Sequence, residues 1–495
     1  MLNHTEVRSG AYYDSVVLMR LSDGLRQVDG VQQSLVAMGT ELNLALLGDL
    51  DFDTSALGSL STADMIVAIR AGSQGDIDQA LAWLSEALVA SAATPPSGSS
   101  DSPPRTLGRA AKAANANIVI ISIPGANVVP EAVDAIRAGA ATMIFSDGVS
   151  IQDERRLKQV ADDAGVLVMG PDCGTALVGG VALGFANKVR AGTIGIVAAS
   201  GTGAQHLSCL LDAQGLGISH ILGVGGRDLH DDVGGLSTLR ALALLDADPG
   251  TDRIVLVSKP PGSETALEVR AAADALSTPV TIGLLGPSGP DLTQLAQSVT
   301  EALDKQFTTP RVDLQTSQNY EPGLLAGLFS GGTLASEARQ LFAGTIGHIT
   351  DIDEFGPAPT PTSIASHEAH VLVDLGDDRM TVGRPHPMID SIVRRDILVG
   401  LATDASRCRH VFLDVVLGYA AAPDPAGDLA DAISRFLDAH IGNTVTATVV
   451  GTNADPQGLD TQRAALLELG CDVFESNAMA TAAVEARLTT EIDNG

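Results

Sequence analysis

Two stretches of the chain place hydroxyls and bare backbone N–H groups where an anion could be held. Ile194-Gly-Ile-Val-Ala-Ala-Ser200-Gly-Thr-Gly-Ala-Gln205 passes from an apolar strand pattern through Ser-Gly into a helical pattern, and Leu324-Leu-Ala-Gly-Leu-Phe-Ser330-Gly-Gly-Thr-Leu-Ala335 does the same. The free N–H groups and the dipole at a helix N-terminus favour negative charge, so each turn reads as half of a phosphate-sized cradle. Ser200, Gly201, Thr202 and Gly203 would line one half, and Ser330, Gly331, Gly332 and Thr333 the other. Neither turn runs on into the Gly-Lys-Ser/Thr of a nucleotide-binding P-loop. For one copy alone a tight strand-to-helix connection suffices; recurrence at equivalent places favours a ligand.

Other side chains could complete such a site. Lys259 follows a strand pattern and precedes Pro260-Pro261, where a point charge near a phosphate is useful. Gly225-Gly-Arg-Asp228 offers Arg227 beside Asp228, with a surface ion pair between them as the plain alternative. The densest polar segment is Asp374-Leu-Gly-Asp-Asp-Arg-Met-Thr-Val-Gly-Arg-Pro-His-Pro-Met-Ile-Asp390. Prolines on both sides of His386 stiffen that loop, and Arg384 sets a planar guanidinium near the imidazole, a pairing suited to carboxylate or phosphate. His386, Arg384 and Arg227 are the catalytic candidates, Lys259 joins the two turns as a phosphate ligand, and Asp228, Asp377, Asp378 and Cys173 are substrate-lining candidates. Cys173 has no histidine or other base near it in sequence, which favours a buried thiol over a nucleophile.

No metal or cofactor is expected. The ten histidines show neither HxH nor HExxH spacing, His367-Glu-Ala-His370 being one residue short of the latter, and Cys173, Cys209, Cys408 and Cys471 form no CxxC pair. Sixty acidic against thirty basic residues give a formal charge of −30, which disfavours nucleic-acid binding because nothing would neutralise a phosphate backbone. The N-terminus has no basic-then-apolar leader and no apolar run reaches membrane-spanning length, so a soluble cytoplasmic protein is expected.

A chain of 495 residues is too long for one core, and three or four domains are expected. Hydrophobic content of 45% with 52 glycines but only ten phenylalanines, four tyrosines and one tryptophan suits an α/β protein. In residues 1–93, an α/β module, Ser15–Met19 and Ile66–Ile69 read as strands, Asp76–Val89 as a helix, and Leu35–Met38 as either. Residues 94–105 form a Pro/Ser-rich linker. Over 106–189, continuous apolar strands at Asn117–Ser122, Ala141–Phe145 and Gly165–Met169 alternate with helices at Val129–Ala138 and Ile151–Ala164, predicting a Rossmann-like parallel sheet covered on both faces. Residues 190–308 and 320–495 share one plan: Ser-Gly turn, helix, strand, then a Gly/Asp turn carrying an arginine, which suggests an internal duplication. Gly-rich turns directly after strands mark the carboxyl edges where open α/β sheets bind ligands.

Gly170-Pro-Asp-Cys-Gly-Thr175, Gly195–Thr202 and Gly223-Val-Gly-Gly-Arg-Asp228 together resemble the alpha subunit of succinyl-CoA ligase and other NDP-forming acyl-CoA synthetases. Val168–Thr175, Ala199–Gly203, Gly225–Leu229, Val257–Pro261, Ser330–Ala335, Asp374–Asp378, Thr381–Asp390 and Phe412–Gly418 resemble the FdrA family more closely. The likeness implies two flavodoxin-like, succinyl-CoA synthetase-type domains, with two helix N-termini facing one phosphate. The chain departs from the ligases where Pro287-Ser-Gly follows Gly286 in place of a Gly-His-Ala-Gly phosphohistidine loop, and where Ser258-Lys-Pro-Pro261 replaces a Gly-Glu-Ile-Gly-Gly run. No ATP-grasp region or CoA-binding Gly loop is recognisable. The FdrA resemblance implies a subunit of a hetero-oligomeric oxamate carbamoyltransferase of allantoin catabolism. Such a subunit exchanges a carbamoyl group between N-carbamoyl-2-oxoglycine and phosphate, giving oxamate and carbamoyl phosphate. Two alternatives stay open: an acyl-CoA synthetase-type ligase with a relocated phosphorylated residue, and a non-catalytic phosphate-binding scaffold.

Overall fold

The computed structural model describes residues 2–9, 15–40, 43–44, 47–48, 50, 52, 57, 60, 64–92, 104–286, 289–315, 321–356, 359–381, 384–403 and 407–490. Most of the 94–105 linker lies outside them. The chain divides into two compact units, Met1–Ser102 and Pro103–Gly495. Among the described residues no helix is long and apolar enough to cross a membrane.

The first unit is a three-stranded antiparallel sheet in the order Leu2–Arg8, Met65–Ala71, Val31–Met38. Its central strand is buried on both faces. Met65, Val67, Ile69 and Ala71 meet Leu18, Leu21, Leu25, Ile77 and Leu84 from two helices, while Ile66 and Ala68 meet Leu47, Phe52 and Leu57. That double burial explains an unbroken apolar run where a one-sided sheet would alternate. Ser15–Met19 is not the expected strand: Ser15–Arg26 is helical, because Leu18, Leu21 and Leu25 recur at helical spacing and bury one face. The undecided Leu35–Met38 belongs to a strand, and Leu2–Arg8 is an edge strand that the sequence reading passed over.

Among the described residues the second unit holds three sheets. The smallest is parallel, in the order Ile118–Ile121, Ala141–Ile144, Val168–Met169, with helices between its strands as expected. Ser150 caps the Ile151–Ala164 helix through the Asp153 N–H, and Gly165 ends it at φ 73°.

The six-stranded sheet runs Val280–Leu284, Arg253–Ser258, Ala191–Ala199, Ile218–Gly223, Thr175–Val178, Val181–Gly184. Its last two strands form a hairpin over Gly179-Gly180, both at positive φ, and the first of them, Thr175–Val178, pairs antiparallel with Ile218–Gly223. Residues 175–184 thus join this sheet rather than the Rossmann-like module expected to end at 189. The seven-stranded sheet runs Val312–Asp313, Asp472–Phe474, Thr444–Val450, Cys408–Val416, Leu324–Phe329, His370–Asp374, Ile349–Thr350. Both sheets share a device. The strand entering the Ser-Gly turn is flanked on both sides by later strands of its module, Ile218–Gly223 and Arg253–Ser258 in one sheet and His370–Asp374 and Cys408–Val416 in the other, so the chain reverses direction across the sheet there. Such a reversal opens a crevice at the carboxyl edge. The molecule is a mixed α/β multidomain protein built on parallel sheets.

Candidate functional site at the facing helix starts

The two Ser-Gly turns meet. Ser200 ends its strand in extended backbone and caps the Gly201–Ala213 helix, its Oγ accepting the Gly203 N–H at 3.0 Å. The same Oγ lies 2.5 Å from Thr333 Oγ1 in the first turn of the Gly332–Leu341 helix. Gly331 begins that second helix without any side-chain cap. A Cβ on Gly331 would stand 2.2 Å from Thr202 Cγ2, so only glycine allows the two helix starts to approach this closely. Ser200, Thr202, Ser330 and Thr333 are all buried.

Charged groups surround the second start. Ser330 donates through both N–H and Oγ to Asp414 Oδ1, each at 2.8 Å. Arg394, also buried, donates to Asp414 Oδ1 at 3.0 Å and to the Asp414 carbonyl at 2.6 Å. Asp414 Oδ2 is sealed from solvent and accepts no hydrogen bond. Burial pushes the Asp414 carboxyl above the usual range, against the pull of Arg394 and Ser330. Asp374 ends the neighbouring strand and accepts the Gly376 N–H at 2.8 Å, and burial pushes it up to about 7. A Cβ built on Gly332 would meet Asp374 Oδ2 at 2.5 Å and Lys259 Nζ at 3.1 Å, so both charges converge on that helix start.

His386 approaches the same place. Its Nε2 would lie 2.6 Å from a Cβ on Gly376, and its ring stacks 5.3 Å from Phe185 in a tilted arrangement. Burial, then the Arg394 charge, holds its pKa down at about 4, so the ring is neutral at pH 7. The Met388 N–H donates to Nδ1 at 3.2 Å, which places the ring proton on Nε2. His386 therefore presents an N–H donor beside the carboxylate of Asp374.

The remaining candidates lie elsewhere or are committed to internal partners. Asp228 is fully buried, and its carboxylate accepts from Lys158, the Ser237 and Thr238 N–H groups and the Thr238 hydroxyl. It anchors the Leu236–Asp246 helix, with no oxygen facing a substrate. Arg227 is held by Glu154 at 3.0 Å and by the Val149 carbonyl at 2.8 Å. Cys173 is buried, its thiol pushed up to about 12 by desolvation, so a substrate-lining role is replaced by packing under Gly223. Asp377 is gripped by Arg379 through two bonds at 2.8 and 2.9 Å, which hold its carboxyl below the usual range. Asp378 is raised to about 6 by burial and by Asp147, to which it hydrogen-bonds. Arg384 is exposed, and no partner of its guanidinium stands among the described residues. Val382, Gly383 and Pro287-Ser288 lie outside the described residues.

Sequence reasoning missed Asp374, Asp414 and Arg394. Asp374 and Asp414 carried a signal, as acids in or closing otherwise apolar strands; Arg394 sits inside an ordinary helical pattern and carried none. A cavity of about 170 Å³ lined by Leu401, Thr403, Arg409, Ala439, His440 and Asn443 lies at the opposite edge of the seven-stranded sheet. Among the described residues no group of three His, Cys, Asp or Glu side chains could hold a metal ion.

Residues 328–487 match the CoA-ligase family, and residues 1–104 match the family described as "AllF, heavy metal-associated domain". Residues 1–104 contain no cysteine, so the soft thiolate ligands suited to a heavy metal are missing there. The Escherichia coli K12 protein YahF is 36% identical over 500 residues, covering 95% of this chain and 96% of that protein. The alpha subunit of an ADP-forming succinate–CoA ligase from Methanothermobacter thermautotrophicus is 30% identical over 181 residues, covering 36% of this chain and 59% of that subunit. A malate–CoA ligase alpha subunit from Methylorubrum extorquens is 29% identical over 32% of this chain and 58% of its own length. The match thus spans less than two thirds of either ligase subunit. An acetyl-coenzyme A synthetase structure from Ca. Korarchaeum cryptofilum aligns with 76% of this chain and 85% of its own at 16% identity and a TM-score of 0.28, too loose to bear on function. The chain belongs to the YahF family, and its CoA-ligase region is related to the alpha subunits of succinate–CoA ligases.

Proposed function

We propose that this chain is an acyl-transfer subunit of the CoA-ligase type that works on a small acyl phosphate without a phosphohistidine. The observation that carries the reading is the meeting of the two uncharged, hydroxyl-bearing helix starts, Ser200 against Thr333, with Lys259 beside them. On binding, the Ser200 and Thr333 hydroxyls exchange their mutual hydrogen bond for phosphate oxygens, a swap costing about 1 kcal/mol. The free N–H groups at Gly332 and Thr333, with the Lys259 ammonium, then offset the phosphate charge. His386 Nε2–H polarises the acyl carbonyl, which a neutral imidazole does without a charge to desolvate.

A carbamoyl group is the acyl group we favour. The FdrA-type motifs support it, as does a neutral donor suited to the poorly electrophilic carbamoyl carbonyl. In this reading the acceptor is a small carboxylate-amide, oxamate, and the chain acts with other carbamoyltransferase subunits in a hetero-oligomer, as alpha subunits of ligases do. Arsenate tests both levels. An acyl arsenate hydrolyses at once, so the assembled complex should consume N-carbamoyl-2-oxoglycine when arsenate replaces phosphate. Thioester formation from CoA, without arsenate-dependent loss of the carbamoyl compound, would move the reading to acyl-CoA ligation. Acid-labile phosphate on the protein after incubation with labelled ATP would restore a phosphoenzyme relay and overturn the proposal.

A further inference from the structure

Resting on that acyl-phosphate reading, we propose that Asp374 is the general base and acid of the site, taking the proton from the incoming nucleophile through Oδ2. The placement is specific. Asp374 closes the strand that pairs with the Ser-Gly strand, Phe329 lying directly opposite it. Its Oδ1 is fixed by the Gly376 N–H, which leaves Oδ2 turned toward the Cα of Gly332 at the second helix start. Lys259, from the other sheet, reaches the same Cα. His386 Nε2 and Asp374 Oδ1 both border Gly376, at 2.6 and 3.1 Å from where its Cβ would stand. Glycine at 332 and 376 keeps a side chain out of the space these three groups share.

In the transfer, the acceptor's amide nitrogen or thiol sulfur attacks the acyl carbon and forms the new C–N or C–S bond. The C–O bond to phosphate breaks, and phosphate leaves with that electron pair onto the backbone N–H groups and Lys259. The proton on the attacking atom passes to Asp374 Oδ2, and in the reverse direction it returns from there. A carboxyl half-ionised near pH 7 serves both directions. Burial first, then Asp414 and Asp377, push Asp374 toward its protonated form, and the Gly376 N–H and Lys259 oppose them. Arg394 is committed to Asp414, and His386 is neutral at that pH.

Sulfate is the probe, because it mimics phosphate and does not titrate above pH 3. Calorimetry of sulfate binding at pH 7.5 in two buffers of different ionisation enthalpy reads the protons taken up. The full chain should take up on the order of half a proton per sulfate, because the arriving anion raises the Asp374 pKa. Uptake should fade by pH 9. Asp374→Asn should bind sulfate without uptake, and Asp374→Glu should retain it; Asp374→Ser replaces the Asn variant if that does not fold. In the active complex, Asp374→Asn should lower kcat by about 100-fold or more and remove the pH limb near 7, with KM for phosphate little changed. Sulfate binding without proton uptake by the unaltered chain, or uptake retained in Asp374→Asn, overturns the assignment while leaving the anion site standing. Failure of sulfate to bind overturns both.

Discussion

Substituting Gly331 by alanine probes the meeting of the two helix starts. The new methyl would lie 2.2 Å from Thr202 Cγ2, 2.5 Å from Oγ1 and 2.7 Å from Cβ, all on a buried side chain. Gly331 is extended, at φ −145° and ψ 125°, so alanine suffers no backbone strain and gains about 0.5 kcal/mol by stiffening the unfolded chain. Overpacking of a buried contact costs about 1–3 kcal/mol. The net loss should therefore be about 1–2 kcal/mol. Urea denaturation of Gly331→Ala against the parent chain reads it, with Gly226→Ala as the control, because a Cβ there meets nothing within 4 Å. Thr202→Ala removes two of the three clashing atoms, so the double variant should recover part of the loss, a coupling of about 1 kcal/mol. If Gly331→Ala is as stable as the control, and Thr202→Ala does not change it, the helix starts are not in contact.

Two further predictions concern buried charge. Arg394→Met strands the Asp414 carboxylate and should cost about 3–5 kcal/mol, while Arg394→Met with Asp414→Leu should cost clearly less; equal losses in denaturation would contradict the pairing. Glu337 is buried and accepts from the Leu292 N–H and Asn477 Nδ2, and burial raises it from an ordinary 4.5 to about 7. Its folded pKa lies above its unfolded value, so between these values the folded state binds more protons and stability falls as pH rises. The fall should begin near pH 4.5, reach about 1 kcal/mol per pH unit, and level off above pH 7. Glu337→Gln should flatten that slope in denaturation series from pH 5 to 8; an unchanged slope would assign it to other groups.

The sheets of the second unit were legible because doubly covered parallel strands read as unbroken apolar runs, and the Ser-Gly turns mark where those runs stop. Their meeting was legible only as an inference from duplication. The helix at Ser15–Arg26 was not, since a five-residue window of valines and leucine cannot separate the two periods. The 175–184 hairpin carries a Gly-Gly turn signal, but its pairing with Ile218–Gly223, some forty positions later, is a property of the folded sheet. Lys259 and His386, which lie near Gly332 and Gly376, stood out in the sequence through rarity and flanking prolines. Asp374 was seen within its segment yet passed over for Asp377 and Asp378, because burial, which separates a tuned carboxyl from one gripped by Arg379, is a property of the folded sheet. Arg227 and Asp228 looked like ligands for the same reason in reverse: Glu154, which holds Arg227, lies 73 positions away, and Lys158, which holds Asp228, lies 70 positions away.

The central claim is that one anion sits between the two Ser-Gly turns. A crystal of the full chain grown with selenate, read by the anomalous signal of selenium, tests it most directly. The account predicts a single strong peak within hydrogen-bonding distance of the Ser200 and Thr333 hydroxyls and the Gly332 N–H, with Lys259 turned toward it. A peak elsewhere, with Ser200 and Thr333 still bonded to each other, would contradict it.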